Sequence, residues 1–94
     1  MRAGIPFDLT LRGLLSIYAA QRGMCAMSGA IMTWQRSAAG PNDYNISIDR
    51  IDPAGPYSMR NVQLTCKVFN FMRHTHTISE FIVLCHRVAN RWPL

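Results

Sequence analysis

The sequence has no apolar run near the ~18 residues needed to cross a bilayer. Pro6 and Asp8 also interrupt the start, where a secretory leader would keep a clean apolar centre. The expectation is an intracellular, cytoplasmic chain with no membrane partner. Cysteine is scarce: Cys25, Cys66 and Cys85 are odd in number and far apart, which argues against a disulfide framework and for a reducing compartment. Acidic residues are few as well, five against ten Lys+Arg, and Lys67 is the single lysine. Nine arginines and that lysine give a net charge of +5, and the planar arginine fork suits phosphate, so a polyanionic partner is favoured, with a merely basic soluble protein as the alternative. Repeats, linkers and low-complexity tracts are missing too. With hydrophobic residues at 49% and charged residues at 16%, disorder is excluded, and 94 residues make one small domain, 1–94.

What is present reads as an α+β chain. Phe7, Leu11, Leu14, Leu15 and Tyr18 recur at helical spacing, predicting an amphipathic helix over 7–21 with Asp8 as N-cap and Gly23 as stop. The apolar patch Ala30–Trp34 and the alternating run Asn45–Asp49 predict two strands of a β-hairpin across a Gly-Pro-Asn-Asp loop. Asp52-Pro53-Ala54-Gly55-Pro56 forces a sharp turn after Ile51. Asn61–Arg73, free of Gly and Pro, supports a helix, and Thr77-Ile78-Ser79-Glu80 has the capping-box pattern that opens a last one. Its apolar set Phe81, Ile82, Leu84, Cys85, Val88 and Ala89 falls on one face, with Cys85 on the buried side as a small apolar residue. Trp34, Trp92 and Tyr57 are read as core, since no basic residues interleave them as in a single-strand binder.

The chemistry-bearing stretch is Ile46-Ser47-Ile48-Asp49-Arg50-Ile51-Asp52-Pro53, followed by Tyr57, Asn61, Cys66 and Asn70. A carboxylate ending a strand and polar groups four apart on a helix can converge on one ion, because Asn70 and His74 differ by about 400° of helical rotation. In order and spacing, roughly residues 24 to 74 resemble the HNH nucleases, the ββα-metal or His-Me finger family, and its small phage-type members in particular. The resemblance implies a β-hairpin plus a metal-bearing helix, flanked here by N- and C-terminal helices, and a metal-dependent endonuclease that hydrolyses phosphodiester bonds of DNA, with the duplex as its expected substrate form. It implies a catalytic set of Asp49, Arg50 and Asn61, and a divalent ion on Asp49, Asn70 and His74. Mg²⁺ or Mn²⁺ suits such oxygen-rich donors, with Zn²⁺ or Ni²⁺ admitted by the imidazole.

Two departures matter. Arg50 stands where the family has a histidine base, and a guanidinium stays protonated near neutral pH. The base would then be His76, Asp52 or a metal-bound hydroxide, with His76 preferred. Cys25 and Cys66 survive from two CxxC pairs whose second positions are Ser28 and Phe69. No structural zinc is expected, and packing of Phe69, Met24 and Met27 should replace it while Cys25 and Cys66 stay neighbours. Arg36, Arg60, Lys67, Arg73 and Arg87 are the candidate phosphate contacts. Taken singly, each is more often structural: Asp49 a turn or capping residue, Asn70 a satisfied polar group, His74 a dipole complement and Asn61 an N-cap. The same scaffold without a base, a catalytically inactive module binding nucleic acid or protein, is the alternative, and a homodimer or a place in a larger nuclease complex is compatible with the size.

Overall fold

Alternation along residues 46–50 organises the structure. A computed structural model describes residues 7–36 and 42–94. Pro6, Gly40 and Pro41, on which parts of the expected leader and loop readings fall, lie outside the described residues. The elements run β1 (Phe7–Asp8), α1 (Leu11–Ala20), β2 (Ile46–Arg50), β3 (Tyr57–Ser58), β4 (Val62–Cys66), α2 (Lys67–Arg73) and α3 (Ile78–Arg91), an α+β arrangement. β2 and β4 pair antiparallel from Ile46 opposite Cys66 to Arg50 opposite Val62, and β1 lies parallel to β3.

Because side chains alternate across a strand, the β2–β4 ribbon has two unlike faces. Ile46, Ile48, Leu64 and Cys66 share one face. Leu14, Ile17 and Tyr18 of α1 pack there, around a buried nucleus of Cys25, Met32, Leu64 and Cys66. Ser47, Asp49, Gln63 and Thr65 share the other, with Ser47 opposite Thr65 and Asp49 opposite Gln63. The outer edge of β4 is also closed. The Gln21 amide donates to Leu64 O and accepts from Leu64 N–H, and Ala26 N–H donates to Leu64 O as well. A strand edge sealed this way cannot recruit another strand.

Residues 61–73 correct the expectation of one helix. Val62–Cys66 is a strand and the helix begins only at Lys67. The lack of Gly and Pro permitted a helix, but pairing with β2 buries Val62, Leu64, Thr65 and Cys66 together, and that tertiary gain overrides the local preference. The partner of β2 is accordingly β4, and Ala30–Trp34 contributes only the single bridges Met24–Ile31 and Thr33–Asn45. Asp8 is extended in β1, so the N-cap of α1 is Thr10, whose hydroxyl accepts from Gly13 N–H at 3.0 Å. The helix stops in a Schellman motif: Gly23 N–H donates to Tyr18 O and Arg22 N–H to Ala19 O, with Arg22 and Gly23 both left-handed (φ 56° and 71°).

In α3 the capping box forms as expected, yet Phe81 is its one buried residue. Ile82, Leu84, Val88 and Cys85 are exposed, which corrects the buried placement of Cys85. Trp34 and Trp92 are exposed as well, and Met24 is largely so, while Met27 and Phe69 do pack on the core beside Cys25 and Cys66. The common reason is size. α1 and the segment from Cys25 to Met32 cover the apolar face of the ribbon, and α3 adds only Phe81 to the buried residues.

The 51–61 loop is pinned by one side chain. Asn61 accepts from Asp52 N–H at 2.9 Å and donates to Asp52 O and Pro56 O at 3.1 and 2.8 Å. Gly55 passes so close that a Cβ there would sit 2.6 Å from Asn61 Nδ2. Gly55→Ala should therefore cost about 1–3 kcal/mol through enforced displacement of Asn61, read as a lower urea midpoint. Asn61→Ala should cost a similar amount, and the double change should be less than additive.

Glu80 gives a pH signature. The Thr77 backbone N–H and hydroxyl bond to its carboxylate and hold the carboxyl below its ordinary value. A depressed folded-state pKa stabilises above the unfolded value and loses that contribution as pH falls through the folded one. Glu80→Ala should thus lower the thermal midpoint at neutral pH, with the difference from wild type vanishing as pH falls below the usual glutamate range.

Candidate functional site

The polar face of the ribbon is covered by α2, and what it covers is a buried ion pair. Asp49 and Arg73 are 3% and 1% exposed. Arg73 Nη1 donates to both carboxylate oxygens at 2.9 Å, and Gln63 Nε2 adds a third bond to Oδ2 at 2.8 Å. The rest of the guanidinium is spent on backbone: Nη1 on Arg50 O (2.7 Å), Nη2 on Ile51 O (2.6 Å) and Nε on His76 O (2.7 Å). One side chain thus ties the end of β2, the following loop and the link between α2 and α3.

Asn70, one turn earlier, faces the same strand. Its Nδ2 donates to Ser47 Oγ at 2.6 Å and Ile48 O at 3.4 Å. A carbonyl can only accept, so Ile48 O fixes the amide orientation, and the Asn70 carbonyl oxygen accepts no hydrogen bond from the described residues. Thr65 Oγ1, on the same ribbon face, is buried without a partner. The helix brings Asn70 and Arg73 onto β2, and His74 does not follow the helical rotation. α2 ends at Arg73, and His74 takes φ 56° as its C-cap, with an exposed side chain.

Asp49 and Arg50 point to opposite faces of β2. Arg50 Nη1 donates to Gly55 O at 3.0 Å and its guanidinium carbon lies 4.8 Å from the centre of the Tyr57 ring, so it braces the loop. His76 is exposed, and its carbonyl rather than its ring engages Arg73. Asp52 Oδ1 accepts from Ala54 N–H inside the turn. Among the phosphate candidates, Arg36, Arg60, Lys67 and Arg87 are exposed, whereas Arg73 is sealed behind Asp49 and is corrected to a structural cation. Sequence reasoning missed Arg73 and Gln63 as partners of Asp49. The register that sets Gln63 opposite Asp49, and the three-residue spacing of Asn70 and Arg73, were the signals that could have found them.

No three His, Cys, Asp or Glu side chains converge as a metal cluster among the described residues, so a cation at this face would draw on the amide oxygen of Asn70. No helix among the described residues is long and apolar enough to cross a membrane. No family model, curated protein or solved structure matches the chain.

Breaking the pair strands a buried charge. Asp49→Ala and Arg73→Met should each lose about 3–5 kcal/mol, and the double variant Asp49→Leu, Arg73→Met should recover most of it. Urea unfolding of the three proteins checks this, and equal losses in all three would show that the pair is not what holds the face closed.

Proposed function

We propose that this chain is an HNH-like domain of the ββα-metal type, acting as a metal-dependent endonuclease on double-stranded DNA. The observation that carries the reading is the shared face of β2. A strand-end carboxylate, Asp49, and a helical amide with a free oxygen, Asn70, are presented by a strand–loop–strand–helix unit whose loop is fixed by Asn61. The donor chemistry fits a hard divalent cation: carboxylate and amide oxygens, with the His74 imidazole at the helix end and the unpartnered Thr65 hydroxyl marking a polar face with bonding capacity to spare. Asp49 and Asn70 would hold it, with the exposed His74 imidazole at the helix end as the third donor once turned toward them. When bound, such an ion supplies Lewis-acid stabilisation of charge on the phosphate and its leaving oxygen.

The other tasks belong to the protein's own groups. Arg36, Arg60, Lys67 and Arg87 are exposed cations able to seat the DNA backbone. Arg50 remains protonated and braced on Gly55 and Tyr57, so it contributes positive charge and loop rigidity rather than proton abstraction. His76, exposed just beyond the Arg73 latch, is the side chain we assign to accept the proton of the attacking water, with Asp52 as the other candidate base.

One observation favours a second reading. Arg73 already neutralises Asp49 on both oxygens, which suits a module that binds nucleic acid without cutting it.

A plasmid-nicking assay with Mg²⁺, Mn²⁺, Ni²⁺ and Zn²⁺ separates the two. The endonuclease reading expects cleavage that needs added metal and falls about 10–100-fold in His74→Ala, with folding retained, as for loss of a metal-supporting group. Salt-sensitive binding without nicking in any metal supports the module. Nicking gained only on Arg50→His identifies a scaffold that has lost its base.

A further inference from the structure

The ion-pair face leaves one reactive group unused, on the opposite side of the ribbon. Cys25 and Cys66 are 41 positions apart in sequence and meet in the core, 3% and 0% exposed. Cys66 N–H donates to Cys25 Sγ at 3.2 Å, which sets the Cys25 sulfur directly against the Cys66 backbone. The segment carrying Cys25 is a tight turn: Gly29 N–H donates to Cys25 O at 2.9 Å, and Gly29 has φ 75°. Both neighbours of Cys25, Met24 and Ala26, are exposed, so the turn that carries it runs along the surface of the core.

We propose that Cys25 and Cys66 are a cross-linking pair, converted by a hydroperoxide into an intramolecular disulfide that staples the 24–32 turn to β4. The geometry assigns unequal roles. Burial works against ionisation of Cys25, but the Ser28 hydroxyl and the backbone N–H groups of Cys66, Ser28 and Met27 converge on its sulfur and bring its pKa below the ordinary thiol value. Burial and the adjacent Cys25 push Cys66 the other way, to about 11, and keep it protonated. Cys25 is thus the attacking thiolate. Its sulfur bonds to one peroxide oxygen as the O–O bond breaks; sulfur loses two electrons, the peroxide gains them, and water or an alcohol leaves after protonation. Cys66 sulfur then attacks Cys25 sulfur, the S–S bond forms, the S–O bond breaks, and the departing hydroxide takes the Cys66 proton as water. A dithiol reverses the link by exchange.

The test uses the full chain carrying Cys85→Ser, which removes the exposed thiol and its intermolecular products. Stepwise hydrogen peroxide, followed by alkylation under denaturing conditions and intact-mass measurement, should show both thiols lost together, a mass lower by two hydrogens, and a thermal midpoint raised by several degrees, all reversed by dithiothreitol. With Cys66→Ser added, the same peroxide should leave Cys25 as a sulfenic acid that a dimedone probe labels. With Cys25→Ala added instead, Cys66 should remain alkylatable. The proposal is overturned if both thiols stay alkylatable at peroxide levels that oxidise Cys85 in the unmodified chain. Gain of oxygen at Cys25 with Cys66 still free overturns it equally.

Discussion

Everything on the polar side of this fold depends on keeping one guanidinium dry. Moving an arginine and an aspartate out of water costs several kcal/mol per ion, and their attraction offsets that only when geometry is good and the remaining donors are satisfied. Here both conditions hold: Asp49 receives Arg73 and Gln63, and Arg73 spends its other bonds on Arg50 O, Ile51 O and His76 O. These carbonyls lie at the end of β2, at the start of the loop that follows it and in the link between α2 and α3, so they converge only when strand, loop and helix are all in place. The pair contributes less as net attraction than as a requirement that the three assemble together.

That requirement bears on both functional readings. A divalent ion approaching Asp49 meets a carboxylate already matched by a positive charge, so ion and guanidinium compete for the same oxygens. Oδ1 nevertheless accepts one bond where Oδ2 accepts two, which leaves it the less occupied of the pair. Asn70 is unaffected by this competition, since its amide hydrogens are anchored on Ser47 and Ile48 and its oxygen takes no bond from the described residues. A scaffold of this kind holds its acidic residue pre-desolvated and rigid in the absence of metal. It can serve as a poised site or as a permanently closed one, and the balance between Arg73 and a cation decides which.

Much of this was legible in the sequence, and the misses share one cause. Thr77–Glu80 announced a capping box because all its bonds are local, and the Ile46–Asp49 alternation announced a two-faced strand for the same reason. Asn61 was singled out, and its loop-fixing bonds to Asp52 and Pro56 are present, although it precedes a strand rather than a helix. The closeness of Cys25 and Cys66 was also expected. What failed needed the partner of each segment. Val62–Cys66 looks helical until β2 is beside it. Arg73 looks like a surface cation until Asp49 is beneath it. His74 follows the helix only if the helix continues, and the helix ends at Arg73, with His74 at φ 56° as its C-cap. Cys85 and the α3 stripe looked buried because periodicity reports amphipathicity and not whether a partner exists.

The apolar side shows the limit of a 94-residue core. One face of the ribbon is filled by α1, and even there Leu14, Leu15, Tyr18, Trp34, Ile46, Ile48 and Leu64 line an open groove of about 540 Å³. α3, with Phe81 its one buried residue, gains little from burial, and a 14-residue helix is marginal in water without packing. Its order therefore rests on its first turn: the Thr77–Glu80 box at the start and, directly before it, the His76 carbonyl held by Arg73. The buried ion pair reaches α3 by this route. Arg73 fixes the residue before the cap, the cap fixes the first turn, and the helix propagates from there, so a helix with a single buried residue is secured by a buried charge in the preceding helix.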